Sequence, residues 1–386
     1  MSELTYLEKL LDGVKVEWQT LGKVLKRTKG TKITAGQMKA LHKDNAPLKI
    51  FAGGKTVAFV DFKDIPEKDI NREPSIIVKS RGIIEFEYYD KPFSHKNEMW
   101  SYHSNNDAIS IKYIYYFLKI NEGYFQKIGG KMQMPQIATP DTDKFEVPIP
   151  CPDNPEKSLA IQSEIVRILD KFTALTAELT AELTAELNMR KKQYNYYRDQ
   201  LLNLEGRENT REMRIGDIYD FQYGTGNTIP KSGGQYPIYG SNGIVGSHDK
   251  YNSEDSPVIG HIGAYAGIVN WGQGKHFVTY NGVICRHKSK EVLQKYAYYL
   301  LLLQDFGSKS NSASQPFVSY NILNAPIVLV PPLQEQARIV AILDKFDTLT
   351  NSITEGLPRE IELRQKQYEY YRDLLLSFPK PETVSK

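Results

Sequence analysis

The sequence predicts an α+β protein: two β-rich domains separated by two long helices that form an antiparallel coiled coil, in a pseudo-two-fold, circular arrangement. Three observations predict it. First, residues 166–176, VRILDKFTALT, return as VAILDKFDTLT at 340–350, and residues 190–202, RKKQYNYYRDQLL, return as RQKQYEYYRDLLL at 364–376, both at an offset of 174. Second, the apolar residues of these segments recur every three or four positions, the period of a helix with one apolar stripe. Third, the stretches outside them are short alternating runs rich in Gly, Asn, Ser and aromatics, which read as strands and turns.

Taken along the chain, residues 1–15 read as a segment completing the helical repeat, because LLDGVKVEWQTLG (10–22) resembles LNLEGRENTREMRIG (202–216). A repeat cut there implies that the two termini lie close together. Residues 16–150 form the first β-rich domain and residues 207–324 the second. They are distant copies: WQTLGKV (18–24) resembles MRIGDIY (213–219), KIFAGGK (49–55) resembles PIYGSNG (237–243), and KYIYYFL (112–118) resembles KYAYYLL (295–301), the last pair as helices. In the second domain Asn242-Gly243 is a hairpin signal. MQMPQI (132–137) and SASQPFV (312–318) lead into Pro-rich turns before each helical arm.

The arms span 151–206 and 325–378, followed by a tail, 379–386. In the first arm the stripe is Ile161, Ile165, Ile168, Phe172, Leu175, Leu179, Leu183, Leu187, Tyr194, Tyr197 and Leu201. In the second, Ile342, Phe346, Leu349, Ile353, Leu357, Ile361, Tyr368, Tyr371 and Leu375 hold the matching positions, so the stripes are expected to pair along their length. LTAELTAELTAEL (175–187) repeats one four-residue word. Each step advances the helix about 400°, a drift of roughly 40° per word, and it stacks Glu178, Glu182 and Glu186 at like-charge spacing. Helix stability does not favour that ladder; the tract reads either as helical filler made of good helix formers or as a length-setting spacer built on Leu175, Leu179, Leu183 and Leu187, and the second arm of matched length favours the spacer. Gly356 and Pro358 predict a kink or break in the second arm.

Composition narrows the function. A chain of 386 residues with 40% hydrophobic and 25% charged residues suits a globular protein of several domains. The N-terminus MSELTYLEKLL is charged rather than a signal sequence, and no apolar run reaches membrane length, so a cytoplasmic location is expected. Two cysteines exclude a disulfide framework, and the seven histidines are scattered without ligand spacing. Net charge is +3, but residues 1–56 carry 11 Lys and Arg against 5 Asp and Glu, a local +6 that fits either a solvated basic face, the commoner case, or a polyanionic partner.

The order of variable domain, ILDKF to QYxYYRD helix, variable domain, ILDKF to QYxYYRD helix, with TAEL words in the central helix, resembles the specificity subunit of a type I restriction-modification enzyme, close to the IC subclass. The resemblance covers nearly the whole chain. It implies that each variable domain is a target recognition domain reading one half of a split double-stranded DNA site. It also implies that the helices space the domains and dock two methyltransferase subunits that use S-adenosylmethionine, with ATP- and magnesium-dependent restriction subunits joining through them. Four helical residues add ~6 Å and roughly 40°, whereas a B-DNA base pair adds ~3.4 Å and about 35°.

The chain lacks GxxxxGK[ST], GxGxxG after a strand, and the [DNS]PP[YFW] base-methylation motif, with VPPL (330–333) the nearest approach, so catalysis is assigned to partners and no cofactor to this chain. Lys and Arg suit phosphates; polar residues at loop tips suit base edges. The candidate DNA contacts are Lys26, Arg27, Lys29, Lys32, Lys79 and Arg81 in the first domain, and Lys231, Ser232, Tyr239, Ser241, Asn242, Lys275 and Gln315 in the second. Tyr194, Tyr197, Arg198, Tyr368, Tyr371 and Arg372 are candidate partner-docking residues. The competing reading is a non-catalytic coiled-coil scaffold with two ligand-binding β domains.

Overall fold

The computed structural model describes residues 6–130, 133–310, 315–352 and 354–380; Ile353 of the second stripe, part of MQMPQI and SASQPFV, and both chain ends lie outside them. The chain divides into two compact units, Met1–Thr180 with Leu363–Lys386, and Ala181–Glu362.

In the first unit, Val16–Thr20 pairs antiparallel with Glu146–Pro150 at the base of the β-rich domain. A four-stranded sheet runs Lys26–Lys29, Trp100–His103, Ser75–Lys79, Glu85–Tyr89. A second sheet places Leu48–Phe51 between Val57–Val60, antiparallel, and Phe93–His95, parallel. The second unit repeats the plan. Arg211–Arg214 pairs antiparallel with Ile327–Val330. One six-stranded sheet then runs Tyr219–Tyr223, Gly282–His287, Ser253–Gly260, Val269–Val278, Tyr236–Gly240, Gly243–His248.

The two plans differ at one strand. Val269–Val278 is a single ten-residue strand that pairs with Ser253–Gly260 and, at its end, with Tyr236–Gly240. Its counterpart in the first unit is two strands, Glu85–Tyr89 and Phe93–His95, interrupted by Asp90-Lys91-Pro92. Proline has no amide to give to a ladder, so a central strand breaks there and the sheet splits.

The KYxYYxL segments are helices, Ile111–Ile120 and Gln294–Leu302. Each is buried in one core with its arm: Tyr113, Ile114 and Leu118 with Ile161, Ile165 and Leu169, and Tyr296, Tyr299 and Leu301 with Ile339 and Leu343. Leu169 and Leu343, outside the predicted stripe, are wholly buried, whereas Ile168, Phe172 and Phe346 are half-buried. The arm is therefore apolar on two sides, one facing the β-rich domain and one facing another helix.

The first arm is one helix, Pro155–Leu202, of 48 residues. The second is two, Leu333–Asn351 and Leu357–Leu375. The break falls where Gly356 takes φ +81°, a conformation side chains rarely adopt, and where a Cβ would lie only 2.5 Å from Thr348 O; Pro358 then lies in the first turn of the following helix, where its missing amide costs nothing. Helix pairing is antiparallel within each unit. In the first, Phe172 meets Tyr371 at a centroid distance of 6.0 Å and Thr173 bonds Tyr368; in the second, Tyr197 meets Phe346 at 5.6 Å.

Pairing of the TAEL leucines is weaker than the sequence suggests. Leu175 is 52% exposed, and Leu179, Leu183 and Leu187 are half-buried. The three-residue step from Phe172 turns Leu175 about 60° off the seam. In the first unit the helix Tyr6–Leu11 shares a core with Leu375, Leu376 and Phe378, and Trp18 Nε1 donates to Pro379 O at 2.9 Å. No helix of the described residues is long and apolar enough to cross a membrane.

Candidate nucleic-acid interface

Two backbone devices recur in both units and fix which loop residues correspond. The first is a glycine at the end of a strand. A Cβ on Gly30 would lie 2.4 Å from the carbonyl oxygens of His95 and Lys96, and one on Gly224 would lie 2.2 Å from Thr279 O and 2.4 Å from Val278 O, so only glycine fits. The next residue donates to the same neighbour in each case, Thr31 N to His95 O at 2.7 Å and Thr225 N to Val278 O at 3.1 Å.

The second device ties two loops together. Gly82 N donates to Pro135 O (2.9 Å) and Ile137 N to Ser80 O (3.0 Å); Gly263 N donates to Pro316 O (2.8 Å) and Val318 N to His261 O (3.0 Å). Gly82 and Gly263 take φ +77° and +91°. Short helices follow, Thr139–Asp143 and Tyr320–Asn324. By these bonds Lys29 corresponds to Tyr223, Ser80 to His261, Asn97 to Tyr280, and Thr139 to Tyr320.

The corresponding side chains are unlike. In the second unit Tyr223 stacks on His261 (4.0 Å, 20°) and on Tyr320 (4.2 Å, 14°), while Tyr280 meets His261 edge-on at 5.2 Å. The Tyr320 hydroxyl accepts from Tyr223 N at 3.0 Å. Within this set Tyr280 and Tyr320 are exposed and Tyr223 is half-buried, while His261 is buried. The first unit has lysine, serine, asparagine and threonine there. None of the aromatic set was singled out by sequence reasoning, although YGT (223–225) against KGT (29–31) carries the signal.

The predicted contacts divide into surface and interior. Lys26, Lys29 and Lys32 are exposed, and Lys32 borders a cleft of about 420 Å³ with Gly30, Gln37, Asp64 and Asn97. Arg27 is held 2.7 Å from Asp143, which also accepts from the Tyr102 hydroxyl at 2.6 Å. Arg81 is exposed at the tied loops, with Nε donating to Gln136 Oε1 at 2.9 Å. Lys79 is a correction: its ammonium is buried 2.5 Å from Glu85 and 2.8 Å from Glu87, so its charge is met inside the protein rather than offered to a phosphate at the surface. Burial disfavours its charge, but the two carboxylates outweigh that and raise its pKa.

In the second unit Lys231 and Ser232 lie on an exposed loop, and Ser241-Asn242 form the hairpin tip between Tyr236–Gly240 and Gly243–His248, with Gly243 at φ +83°. Lys275 is exposed and lies over the Tyr251 ring at 4.7 Å. Gln315 is exposed beside the tied loops. Tyr239 is a second correction: it is 6% exposed, packed with Val258, Val278 and Ile284, and donates to Trp271 O at 3.2 Å. Strand alternation turns Tyr239 inward, and the sequence of one hairpin does not say which face is buried.

On the arms, Tyr194 is a third correction: it is buried in the core with Leu202, Ile339 and Leu343 and offers a partner little surface, whereas Tyr368 is half-buried. Arg198 and Arg372 are paired with Asp199 (2.8 Å) and Asp373 (2.7 Å). Tyr196 and Tyr370, 61% and 64% exposed, are the most open tyrosines of these motifs. Among the described residues no group of three or more His, Cys, Asp or Glu is gathered as a metal ion needs.

Two β-rich units on one backbone plan, with unlike side chains at corresponding loop positions and a helical arm packed into each core, define a two-headed recognition protein. The type I restriction modification DNA specificity domain matches residues 15–189 and again 207–363. The chain belongs to that family, as a DNA specificity subunit with two target recognition domains. It is 40% identical over 423 aligned positions to the type I restriction enzyme EcoR124I/EcoR124II specificity subunit of Escherichia coli, covering 100% of both chains. The fold is shared with the type I restriction-modification S subunit of M. genitalium (TM-score 0.53, 18% identity, 98% of this chain and 100% of that one). It is also shared with a chain from a structure of type I restriction-modification complex assembly and conformational transition (TM-score 0.61, 13% identity, 94% and 97%).

Proposed function

We propose that the two recognition domains, residues 16–150 and 207–324, read the two halves of a bipartite double-stranded DNA target, and that the helical segments 151–206 and 325–378 set the spacer between the halves. The observation that carries this reading is the pair of tied-loop frameworks with unlike side chains: one backbone platform, used twice, presents Lys29, Asn97 and Thr139 over a buried Ser80 in one domain, and Tyr223, Tyr280 and Tyr320 over a buried His261 in the other. Unlike surfaces on like platforms suit two different half-sites. Lys26, Lys29, Lys32, Arg81, Lys231, Ser232, Ser241, Asn242, Lys275 and Gln315 are the residues proposed to meet phosphates and base edges.

The chain acts without catalysing. It directs two methyltransferase subunits that use S-adenosylmethionine and, through them, restriction subunits that use ATP and magnesium, in the bacterial cytoplasm. Tyr197, Arg198, Tyr368, Tyr371 and Arg372, joined by the open Tyr196 and Tyr370, are the docking residues proposed on the arms. The test is co-expression with the methyltransferase subunit, followed by mapping of adenine methylation across a bacterial genome. A bipartite motif with a fixed spacer is expected. A stable complex that adds no methylation, and shows no salt-dependent DNA affinity, would leave a scaffold as the better description.

A further inference from the structure

The two repeated motifs ILDKF and KYxYYxL meet in each unit. Tyr116 donates its hydroxyl to Asp170 Oδ1 at 2.6 Å, and the Lys112 ammonium lies 2.7 Å from Asp170 Oδ2. In the other unit Tyr299 donates to Asp344 Oδ1 at 2.5 Å, with Lys295 4.0 Å away. Lysine and tyrosine are four residues apart on one helix in both cases, so both polar heads emerge on the same face.

Eight residues before each aspartate is a second anchor. Gln162 is wholly buried; its Oε1 accepts from Ser110 N at 2.9 Å and its Nε2 donates to Ala108 O at 2.9 Å. Gln336, equally buried, accepts from Leu293 N at 2.8 Å and donates to Glu291 O at 2.9 Å. Eight helical residues span about 12 Å. Between the anchors the interface is apolar, Ile165 and Leu169 in one unit, Ile339 and Leu343 in the other.

An apolar seam alone permits neighbouring helix registers, because ridges can settle into more than one set of grooves. Directional hydrogen bonds do not tolerate such a shift. One anchor would still allow a pivot about itself; two anchors about 12 Å apart remove it. We propose that Asp170 and Asp344, through Tyr116 with Lys112 and Tyr299 with Lys295, are positioning residues that fix the angle at which each recognition domain leaves its arm, and thereby the DNA spacer length the chain accepts. The proposal rests on the reading of the chain as a bipartite DNA reader. One base pair is only about 3.4 Å and about 35°, so a small loss of angular definition is enough to admit a neighbouring spacer.

The experiment uses the full chain with its methyltransferase subunit, comparing wild type with Tyr116→Phe, Tyr299→Phe and the double variant by genome-wide methylation mapping. Both half-sites are expected unchanged, while the share of methylated sites whose spacer is one base pair longer or shorter rises several-fold, most in the double variant. A spacer distribution identical to wild type, even with less methylation or a lower Tm, overturns the proposal, since lost stability alone gives that result. If the tyrosine variants are insoluble, the half-exposed Lys112→Gln and Lys295→Gln are read by the same criterion. A wild-type chain that methylates no bipartite site overturns the underlying reading instead.

Discussion

The ring of Tyr197 is stacked on that of Phe346, centroids 5.6 Å and planes 28° apart. The residues displaced by the repeat offset, Tyr371 and Phe172, meet in the other unit at 6.0 Å and 44°. Each QYxYYRD motif is thus completed by the ILDKF motif of the opposite arm. Phe346→Ala should cost about 1–3 kcal/mol in urea unfolding, and a double-mutant cycle with Tyr197→Ala should return a coupling of about 0.5–1.5 kcal/mol. A coupling near zero would show that the two rings touch without supporting one another.

Removing one TAEL word, residues 180–183, removes four helical residues, ~6 Å of rise. The methylated motif should keep both half-sites and change only its spacer. A map with the original spacer would show that the tract does not set the distance.

Gly224→Ala drives a methyl into two carbonyl oxygens of the neighbouring backbone, so the second domain should lose its fold locally and the matching half-site should disappear from the methylation map. Gly36 makes the opposite case. It lies in the helix Ala35–Leu41 with open space around it, and Gly36→Ala should stabilise by about 0.5–1 kcal/mol in thermal unfolding.

Acid should weaken the fold through buried histidines. His95 is wholly buried, with Nδ1 3.1 Å from Lys96 O and Nε2 3.1 Å from Ser101 Oγ. Burial lowers its pKa below the ordinary 6.5, against a smaller opposing effect of the Lys96 carbonyl and Glu98. His276 is lowered by burial in the same way. Below about pH 6.5 the unfolded chain takes up protons that the folded one refuses, so this stability is present above that pH and lost as pH falls beneath it. Thermal scans from about pH 7.5 down to about 5.5, which bracket the ordinary histidine pKa, should show a falling Tm, and His95→Gln should flatten that slope.

Charge removal should separate the two kinds of lysine. The triple variant Lys26→Gln, Lys29→Gln, Lys32→Gln should weaken DNA binding and reduce the slope of log affinity against log salt by about 0.9 for each phosphate no longer neutralised. Lys79→Met should leave the salt slope unchanged and lower the Tm, because it strands Glu85 beside an apolar side chain and leaves Glu87 with Lys49 alone. Equal effects of the two variants on the salt slope would return Lys79 to the DNA surface.

Much of the architecture was legible because the sequence states it twice. The offset of 174 announced two equivalent arms, helical spacing gave their stripes, and Gly356 with Pro358 marked the break that separates Asn351 from Leu357. Backbone preference and periodicity are local properties, and a linear reading captures them. What only the tertiary structure decided is which side chains face which neighbours. Lys79 and Tyr239 looked like surface residues until strand pairing turned them inward. Leu169 and Leu343 fell outside the predicted stripe until a second packed face claimed them. Tyr223, His261 and Tyr320 are 38 and 59 residues apart in succession and stack only because a glycine turn and two tied loops bring them together. The role of the ILDKF aspartate also stayed hidden, since its partners Tyr116 and Tyr299 lie on helices 54 and 45 residues away in the chain. Pairings of that range depend on how each unit packs around its core, and no local pattern encodes them.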